Sequence, residues 1–148
     1  MNNLISTLDY PERDESSVFQ DVKGWHVAIR TTHFEGLIAW YQDKLDFRMV
    51  KAFTAGEMQL ALIAPPGDND FLLEVLGVTG SEVSSSKVNE GYDHVCFSVA
   101  NLEETMAALK LRNIKIDRSF EVPVIGKRVA FISDPFGNTI EFAEALRP

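Results

Sequence analysis

How this chain folds is decided by the stretch Val129-Ala130-Phe131-Ile132-Ser133-Asp134-Pro135-Phe136-Gly137-Asn138-Thr139-Ile140-Glu141-Phe142. Its centre, residues 134–138, combines Asp, Pro, Gly and Asn, which are the residue types of tight turns. The apolar segments on either side predict two strands joined by that turn. Because side chains alternate between the faces of a strand, Glu141 is expected opposite Ile140 and Phe142. The stretch therefore predicts a last strand with one apolar face and one face that carries a carboxylate.

Outward from this turn, each half of the chain shows the order strand, helix and three further strands. In the second half we predict a strand from His94 to Val99, a helix from Asn101, and strands near Lys115 to Ser119, Arg128 to Ile132 and Thr139 to Ala143. In the first half we predict a strand from Trp25 to Arg30, then a helix, and then strands near Phe47 to Phe53, Met58 to Ile63 and Phe71 to Leu76. The pattern predicts an α+β fold built from paired βαβββ modules.

Both predicted helices have an apolar stripe at helical spacing. The first stripe consists of Leu37, Trp40, Tyr41 and Leu45, and the second of Leu102, Thr105, Met106 and Leu109. Asn101, followed three residues later by Glu104, has the pattern of a helix start. One face of each helix is therefore expected to pack on its sheet.

The spacing of two histidines and two glutamates supports a duplication. His94 follows His26 by 68 positions, and Glu141 follows Glu74 by 67. We therefore divide the chain into an N-terminal arm at residues 1–21, a first module at 22–80, a linker at 81–90 and a second module at 91–148. The linker has three consecutive serines at its centre, a composition typical of flexible connections.

Composition excludes several classes of function. The formal net charge is −8 and no basic cluster is present, which opposes binding to nucleic acid or to an anionic membrane surface. No apolar run reaches the roughly 20 residues of a spanning helix, and residues 1–6 do not resemble a signal peptide. A cytoplasmic protein is expected. The single cysteine, Cys96, excludes an intrachain disulfide, and a free cysteine is ordinarily expected to be buried.

His26, Glu74, His94 and Glu141 are candidate ligands of one divalent metal ion. Each lies on the polar face of its predicted strand, and burying such groups without a partner costs several kcal/mol. Two neutral imidazoles and two carboxylates balance a 2+ charge and suit Ni, Co, Zn, Fe or Mn. His33 has no counterpart in the other half and is interpreted as a surface or helix-capping residue.

Four motifs resemble the vicinal oxygen chelate superfamily, which includes glyoxalase I, methylmalonyl-CoA epimerase, extradiol dioxygenases, fosfomycin-resistance enzymes and bleomycin-resistance proteins. They are WHVAIR at 25–30, FLLEV at 71–75, GYDHVCF at 91–97 and VAFISDPFGNTIEF at 129–142. The resemblance covers about residues 22–144. It implies a curved, barrel-like mixed sheet with the helices outside. The ligand order His, Glu, His, Glu is most similar to that of glyoxalase I.

The resemblance also implies a chemistry. A metal ion, with Ni, Co or Zn favoured over Fe or Mn, would hold two adjacent oxygens of a small substrate and stabilise an enediolate. Glu141, with Glu74 as its symmetric counterpart, would move the proton, and Arg30 would hold an anionic group of the substrate. Cys96, on the face of His94, is expected to contact the substrate. The glutathione pocket is matched only in part, because Val78 and Glu90 stand where glyoxalase I has Asn and a basic residue.

Other functions fit the same resemblance. An Fe(II) ring-cleaving dioxygenase would use His26, His94 and Glu141, and an acyl-thioester epimerase would use the same site. A metal-free protein that binds a drug or metabolite is a further alternative, although such proteins generally lack the four-ligand set. Relatives of this length usually form homodimers, so the expected partners are a small molecule and a second copy of the chain.

Overall fold

Eight strands, two α-helices and one 3-10 helix lie in residues 8–17, 19, 24–79 and 94–147, which the computed structural model describes. The chain divides into two compact units, one at Val22–Gly91 and one that combines Tyr92–Pro148 with Met1–Asp21. The predicted linker at 81–90 and much of the predicted N-terminal arm lie outside the described residues. No helix in the described ranges is long and apolar enough to cross a membrane.

The first module forms a four-stranded mixed sheet with one helix. Its elements are β1 at His26–Thr31, α1 at Phe34–Leu45, β2 at Arg48–Ala55, β3 at Met58–Ala64 and β4 at Leu72–Gly77. The strands are arranged in the order β1-β4-β3-β2, with β1 and β4 parallel and the other neighbours antiparallel. The first and last strands of the module are therefore direct neighbours.

The second module repeats this topology. Its elements are β5 at Val95–Ser98, α2 at Leu102–Leu111, β6 at Arg118–Val122, a 3-10 helix at Pro123–Ile125, β7 at Lys127–Ser133 and β8 at Thr139–Ala145. The strand order is β5-β8-β7-β6, again with the first and last strands parallel. The α+β fold of paired βαβββ modules is confirmed. The described strands form two four-stranded sheets and do not close into a barrel.

The position of β6 differs from the prediction. The strand was expected near Lys115 to Ser119 and lies at Arg118–Val122. Ile114, in the connection after α2, is buried and lies outside the strand. The preceding Asn113 has a left-handed backbone with φ of 62°, so the chain turns there and enters the sheet later.

The core of the first module is formed largely by α1 and the strands beneath it. Its buried helix residues are Leu37, Ile38, Tyr41 and Leu45. The predicted Trp40 is only half-buried, and Ile38 takes its place in the stripe. The helix ends at Asp46, whose φ of 57° turns the chain out of the helix.

Helix α2 begins as its sequence predicts. The side chain of Asn101 accepts a hydrogen bond from the backbone N–H of Glu104 at 3.0 Å. Leu102 and Leu109 are buried, while Thr105 and Met106 are half-buried. A cap of this type stabilises a helix by about 1 kcal/mol and defines the residue at which the helix begins.

The predicted turn between β7 and β8 is organised by one buried carboxylate. Asp134 accepts hydrogen bonds from the backbone N–H groups of Phe136 and Asn138, each at 2.9 Å. It also accepts one from the side-chain amide of Asn138 at 2.7 Å. This turn sets the register in which Ser133 pairs with Thr139, and hence the position of Glu141 two residues further along.

Candidate metal centre

In the first module, β1 and β4 bring His26 and Glu74 together. The two strands are parallel neighbours, and Ala28 is the register partner of Glu74. His26 lies two residues before Ala28 and so shares its face. The distance from His26 Nε2 to Glu74 Oε2 is 3.4 Å. The ring of Trp25 contacts the imidazole edge-to-face at 4.6 Å between centroids and helps to orient it.

In the second module, β5 and β8 form the equivalent pair. Cys96 is the register partner of Glu141, and His94 lies two residues before Cys96. His94 Nε2 lies 2.7 Å from Glu141 Oε2. The ring of Phe131, on the neighbouring strand, contacts the imidazole edge-to-face at 5.6 Å. Each module therefore supplies one imidazole and one carboxylate from its first and last strands.

The spacing within each pair suits a divalent metal ion. Two ligands of one ion, each about 2.0–2.2 Å from it, lie roughly 3.0–3.4 Å apart for angles between 90° and tetrahedral. The N···O distance of 3.4 Å in the first pair lies at the upper end of this range, and the distance of 2.7 Å in the second pair lies just below its lower end. The four side chains keep between 15 and 33% of their surface exposed, so solvent reaches them. The donor set is the mixed nitrogen and oxygen set of transition-metal sites.

The structure brings the predicted ligands together as two pairs. Within the described ranges, no group of three or more His, Cys, Asp or Glu side chains is arranged to hold a metal ion. His26 and Glu74 belong to one compact unit, and His94 and Glu141 to the other. A single centre of all four residues stays a prediction, which is developed below as a proposal.

Cys96 is exposed, and the expectation that it would be buried is wrong. A short strand of only four residues places it on the polar face of the sheet, next to Glu141. Loss of hydration around the sulfur, and secondly the negative charge and hydrogen bond of Glu141, raise the pKa of the Cys96 thiol to about 11. The group is therefore a neutral thiol at physiological pH, able to donate a hydrogen bond to Glu141.

The remaining predicted residues lie in different places. Arg30 is exposed on β1, on the same face as His26 and Ala28. His33 occupies the residue before α1, and its backbone carbonyl accepts the hydrogen bond of Leu37 N–H at 2.8 Å. Its ring makes no side-chain hydrogen bond that caps the helix. His33 is therefore a helix-start residue, as the sequence suggested.

Sequence reasoning missed a second duplicated pair on these faces. Lys51 and Phe53 in β2 correspond to Arg118 and Phe120 in β6, and both spacings are 67 positions. This is the spacing of Glu74 and Glu141, so the signal was present in the sequence. In each module the basic residue is separated from the glutamate by one strand, in matching register.

Comparison with protein families gives one match over most of the chain. The family model described as Glyoxalase/Bleomycin resistance protein/Dioxygenase superfamily matches residues 25–142. No curated protein matches the chain.

Several solved structures have the same fold at low sequence identity. A glyoxalase family protein from Enterococcus faecalis is 23% identical, with a TM-score of 0.69, over 82% of this chain and 97% of that one. TnmS3, an antibiotic binding protein from Streptomyces sp. CB03234, is 17% identical, with a TM-score of 0.66 over 84% and 96%. Lactoylglutathione lyase from Agrobacterium tumefaciens is 18% identical, with a TM-score of 0.62 over 89% and 96%. At these identities the likeness shows the fold alone.

Proposed function

Because the chain belongs to the Glyoxalase/Bleomycin resistance protein/Dioxygenase superfamily, we propose that it is a divalent-metal-dependent, glyoxalase-like lyase or isomerase. Its substrate would be a small molecule with two adjacent oxygen atoms. The observation that carries the proposal is the repeated pairing of an imidazole with a carboxylate, His26 with Glu74 and His94 with Glu141. Two such pairs at equivalent strand positions are expected of ligands and are unusual for residues that only stabilise a fold.

In this proposal His26, Glu74, His94 and Glu141 hold one ion, whether they come from one chain or from two copies. Two carboxylates and two neutral imidazoles neutralise a 2+ charge, which favours Ni, Co or Zn, with Fe or Mn as alternatives. When bound, such an ion supplies a Lewis acid that polarises the substrate oxygens.

Glu141 is the residue that we assign to proton transfer. Its Oε2 already lies 2.7 Å from an imidazole nitrogen, and the neutral Cys96 thiol is its register partner on the neighbouring strand. These contacts orient the carboxylate towards the exposed face, where it can accept a proton from a carbon next to a carbonyl. Glu74 is its symmetric counterpart in the first module.

Arg30 is the proposed anchor for an anionic group of the substrate on the first module. It is exposed and shares the face of His26. Cys96 is a proposed contact of the substrate on the second module. A small-molecule substrate, a homodimer and a cytoplasmic location are further parts of this proposal.

The test is metal content, measured by mass spectrometry on protein purified without an affinity tag. We expect near-stoichiometric Ni, Co or Zn in the wild type and its loss in His94→Ala. His33→Ala is the matched control, because it removes a histidine that belongs to neither pair. It should keep the wild-type metal content. Iron in place of these metals would support the dioxygenase alternative.

A wild type that stays metal-free after incubation with each ion would contradict the proposed function. The second candidate, a metal-free protein that binds an aromatic small molecule, would then be favoured. The observation behind this candidate is the presence of an exposed ring in each module, Phe53 and Phe120, with 39 and 43% of its surface accessible.

A further inference from the structure

One arginine of the second module lies on the face of the His94–Glu141 pair and is not used by the proposed chemistry. Arg118 begins β6, and both Arg118 and Glu141 are register partners of Phe131 in β7. Neighbouring strands are about 4.8 Å apart, so the α-carbons of Arg118 and Glu141 are separated by about 10 Å. Both side chains project from the same face, so one small molecule can contact both.

The guanidinium of Arg118 is held in place by aromatic rings. Its central carbon lies 4.4 Å from the ring centroid of Phe131 and 5.8 Å from that of Phe120. The two rings are stacked, with centroids 5.9 Å apart and an interplanar angle of 19°. Stacking of this type orients a guanidinium while leaving the N–H groups at its edge available to an anion.

No protein carboxylate competes for this arginine in the described part of the chain. The other arginine of the same hairpin, Arg128, lies on the opposite face and pairs with Glu103 at 3.4 Å. Arg118, in contrast, has ring contacts but no ion pair among the described residues. A planar cation with free donors is the group that recognises a carboxylate through two parallel hydrogen bonds.

The apolar surface beside Arg118 is aromatic. Phe120 is 43% exposed, whereas Phe131 is only 7% exposed and bridges between the imidazole of His94 and the guanidinium. An exposed ring next to a cation offers a stacking surface for a planar group of a ligand.

We infer that this face of the second module, carrying His94, Glu141, Phe131, Arg118 and Phe120, binds an aromatic carboxylate. Arg118 holds its carboxylate, and Phe120 packs against its ring. The inference rests on the proposed function in one respect: the reacting oxygens of the ligand are placed next to His94 and Glu141. It deepens that function by naming the substrate class.

The first module lacks the arginine and the aromatic ring beneath it, and this difference supports the assignment to the second module. Lys51 and Phe53 occupy the equivalent positions, but Lys51 is the register partner of Leu62, where the second module has Phe131. A lysine is also a point charge without the planar fork of arginine. The aromatic carboxylate is therefore assigned to the second module, and the first module provides a natural comparison.

The experiment is an NMR titration of metal-free protein, prepared by chelator treatment followed by removal of the chelator. The probes are benzoate and the neutral, isosteric benzamide. The variants are Arg118→Gln, Arg118→Lys and Phe120→Leu. Arg128→Gln is the matched control, because it removes the same charge from the opposite face of the same hairpin. Thermal unfolding of each variant confirms that it is folded.

We expect benzoate to bind Arg118→Gln about 10-fold or more weaker than wild type, from loss of a charge-assisted pair. Arg118→Lys should recover part of this affinity. Benzamide should bind both proteins equally, and Phe120→Leu should weaken both probes. Arg128→Gln should bind benzoate as the wild type does.

Equal benzoate affinity in wild type and Arg118→Gln would overturn the inference, as would an equal loss in Arg128→Gln. Absence of saturable benzoate binding to the wild type at millimolar concentrations would also overturn it. The titration needs no metal, so its result is separate from the metal-content test. Arg118-dependent binding by a protein that never takes up metal would contradict the proposed function alone.

Discussion

Asp134 holds Asn138 at two points, accepting its backbone N–H at 2.9 Å and its side-chain amide at 2.7 Å. The first prediction follows from this carboxylate, which is only 5% exposed. Asp134→Ala leaves three donors without their acceptor, and we expect a loss of about 2–4 kcal/mol in the free energy of unfolding. Denaturant unfolding measures it. Asp134→Asn keeps one acceptor and should lose less; an Ala variant as stable as the wild type would contradict this account.

Arg48 connects β2 to the loop before β4, and it gives the second prediction. Its guanidinium donates to the carbonyls of Pro65 and Asp68 and to the side chain of Asn69, at 2.8 Å in each case. We expect Arg48→Ala to cost about 1–3 kcal/mol of unfolding free energy. Arg48→Lys should recover only part of this, because an ammonium does not reproduce the planar fork. Full recovery in the lysine variant would mean that charge alone is needed.

The third prediction concerns turnover. If Glu141 moves the proton, Glu141→Gln should leave the thermal unfolding temperature close to that of the wild type and lower kcat by about 10²- to 10⁴-fold. The assay follows turnover of small substrates with two adjacent oxygen atoms, aromatic carboxylates among them, with and without glutathione, on metal-loaded protein. Glu103→Gln, at an exposed carboxylate of α2, is the control and should keep full activity. Undiminished turnover in Glu141→Gln would remove this residue from the mechanism.

The fourth prediction concerns the fluorescence of Trp25, which lies beside the His26–Glu74 pair. Its ring lies 4.6 Å from that of His26. Addition of Ni or Co, which quench indole emission at short range, should reduce the fluorescence of the wild type. The quenching should disappear in Trp25→Phe. It should persist in Trp40→Phe, because Trp40 lies on α1 and not beside the His26–Glu74 pair. Quenching that depends on Trp40 would place the ion elsewhere.

The fifth prediction is slow alkylation of Cys96 in metal-free protein. Its thiol pKa is raised from 9.0 to about 11, so the reactive thiolate appears only at higher pH. At pH 8 the thiolate fraction should be about 100-fold below that of a thiol with the unshifted pKa. The rate of reaction with iodoacetamide as a function of pH measures this. Glu141→Gln should raise the rate, because it removes a charge that opposes the thiolate. Equal rates would show that the partial loss of hydration around the sulfur alone sets the thiol pKa.

The amino-acid sequence by itself determined the duplicated topology and the facing of its strands. Alternation of apolar and polar residues placed His26 and Glu74 on one face, and His94 and Glu141 on another, because the side-chain period of a strand is fixed. The cap at Asn101 and the turn at Asp134 were likewise readable, since both depend on residues close together in the chain.

The contacts between side chains that are distant in sequence were decided only by the tertiary structure. The stacking of Arg118 on Phe131 arises only when β6 and β7 pair in their observed register. The raised thiol pKa of Cys96 likewise depends on the loss of hydration around its sulfur in the folded sheet and, secondly, on Glu141, which lies 45 positions away in sequence. Residue pattern fixes which face a side chain occupies, but strand pairing fixes which distant side chain lies beside it. The charge, hydration and chemistry of each group depend on that neighbour.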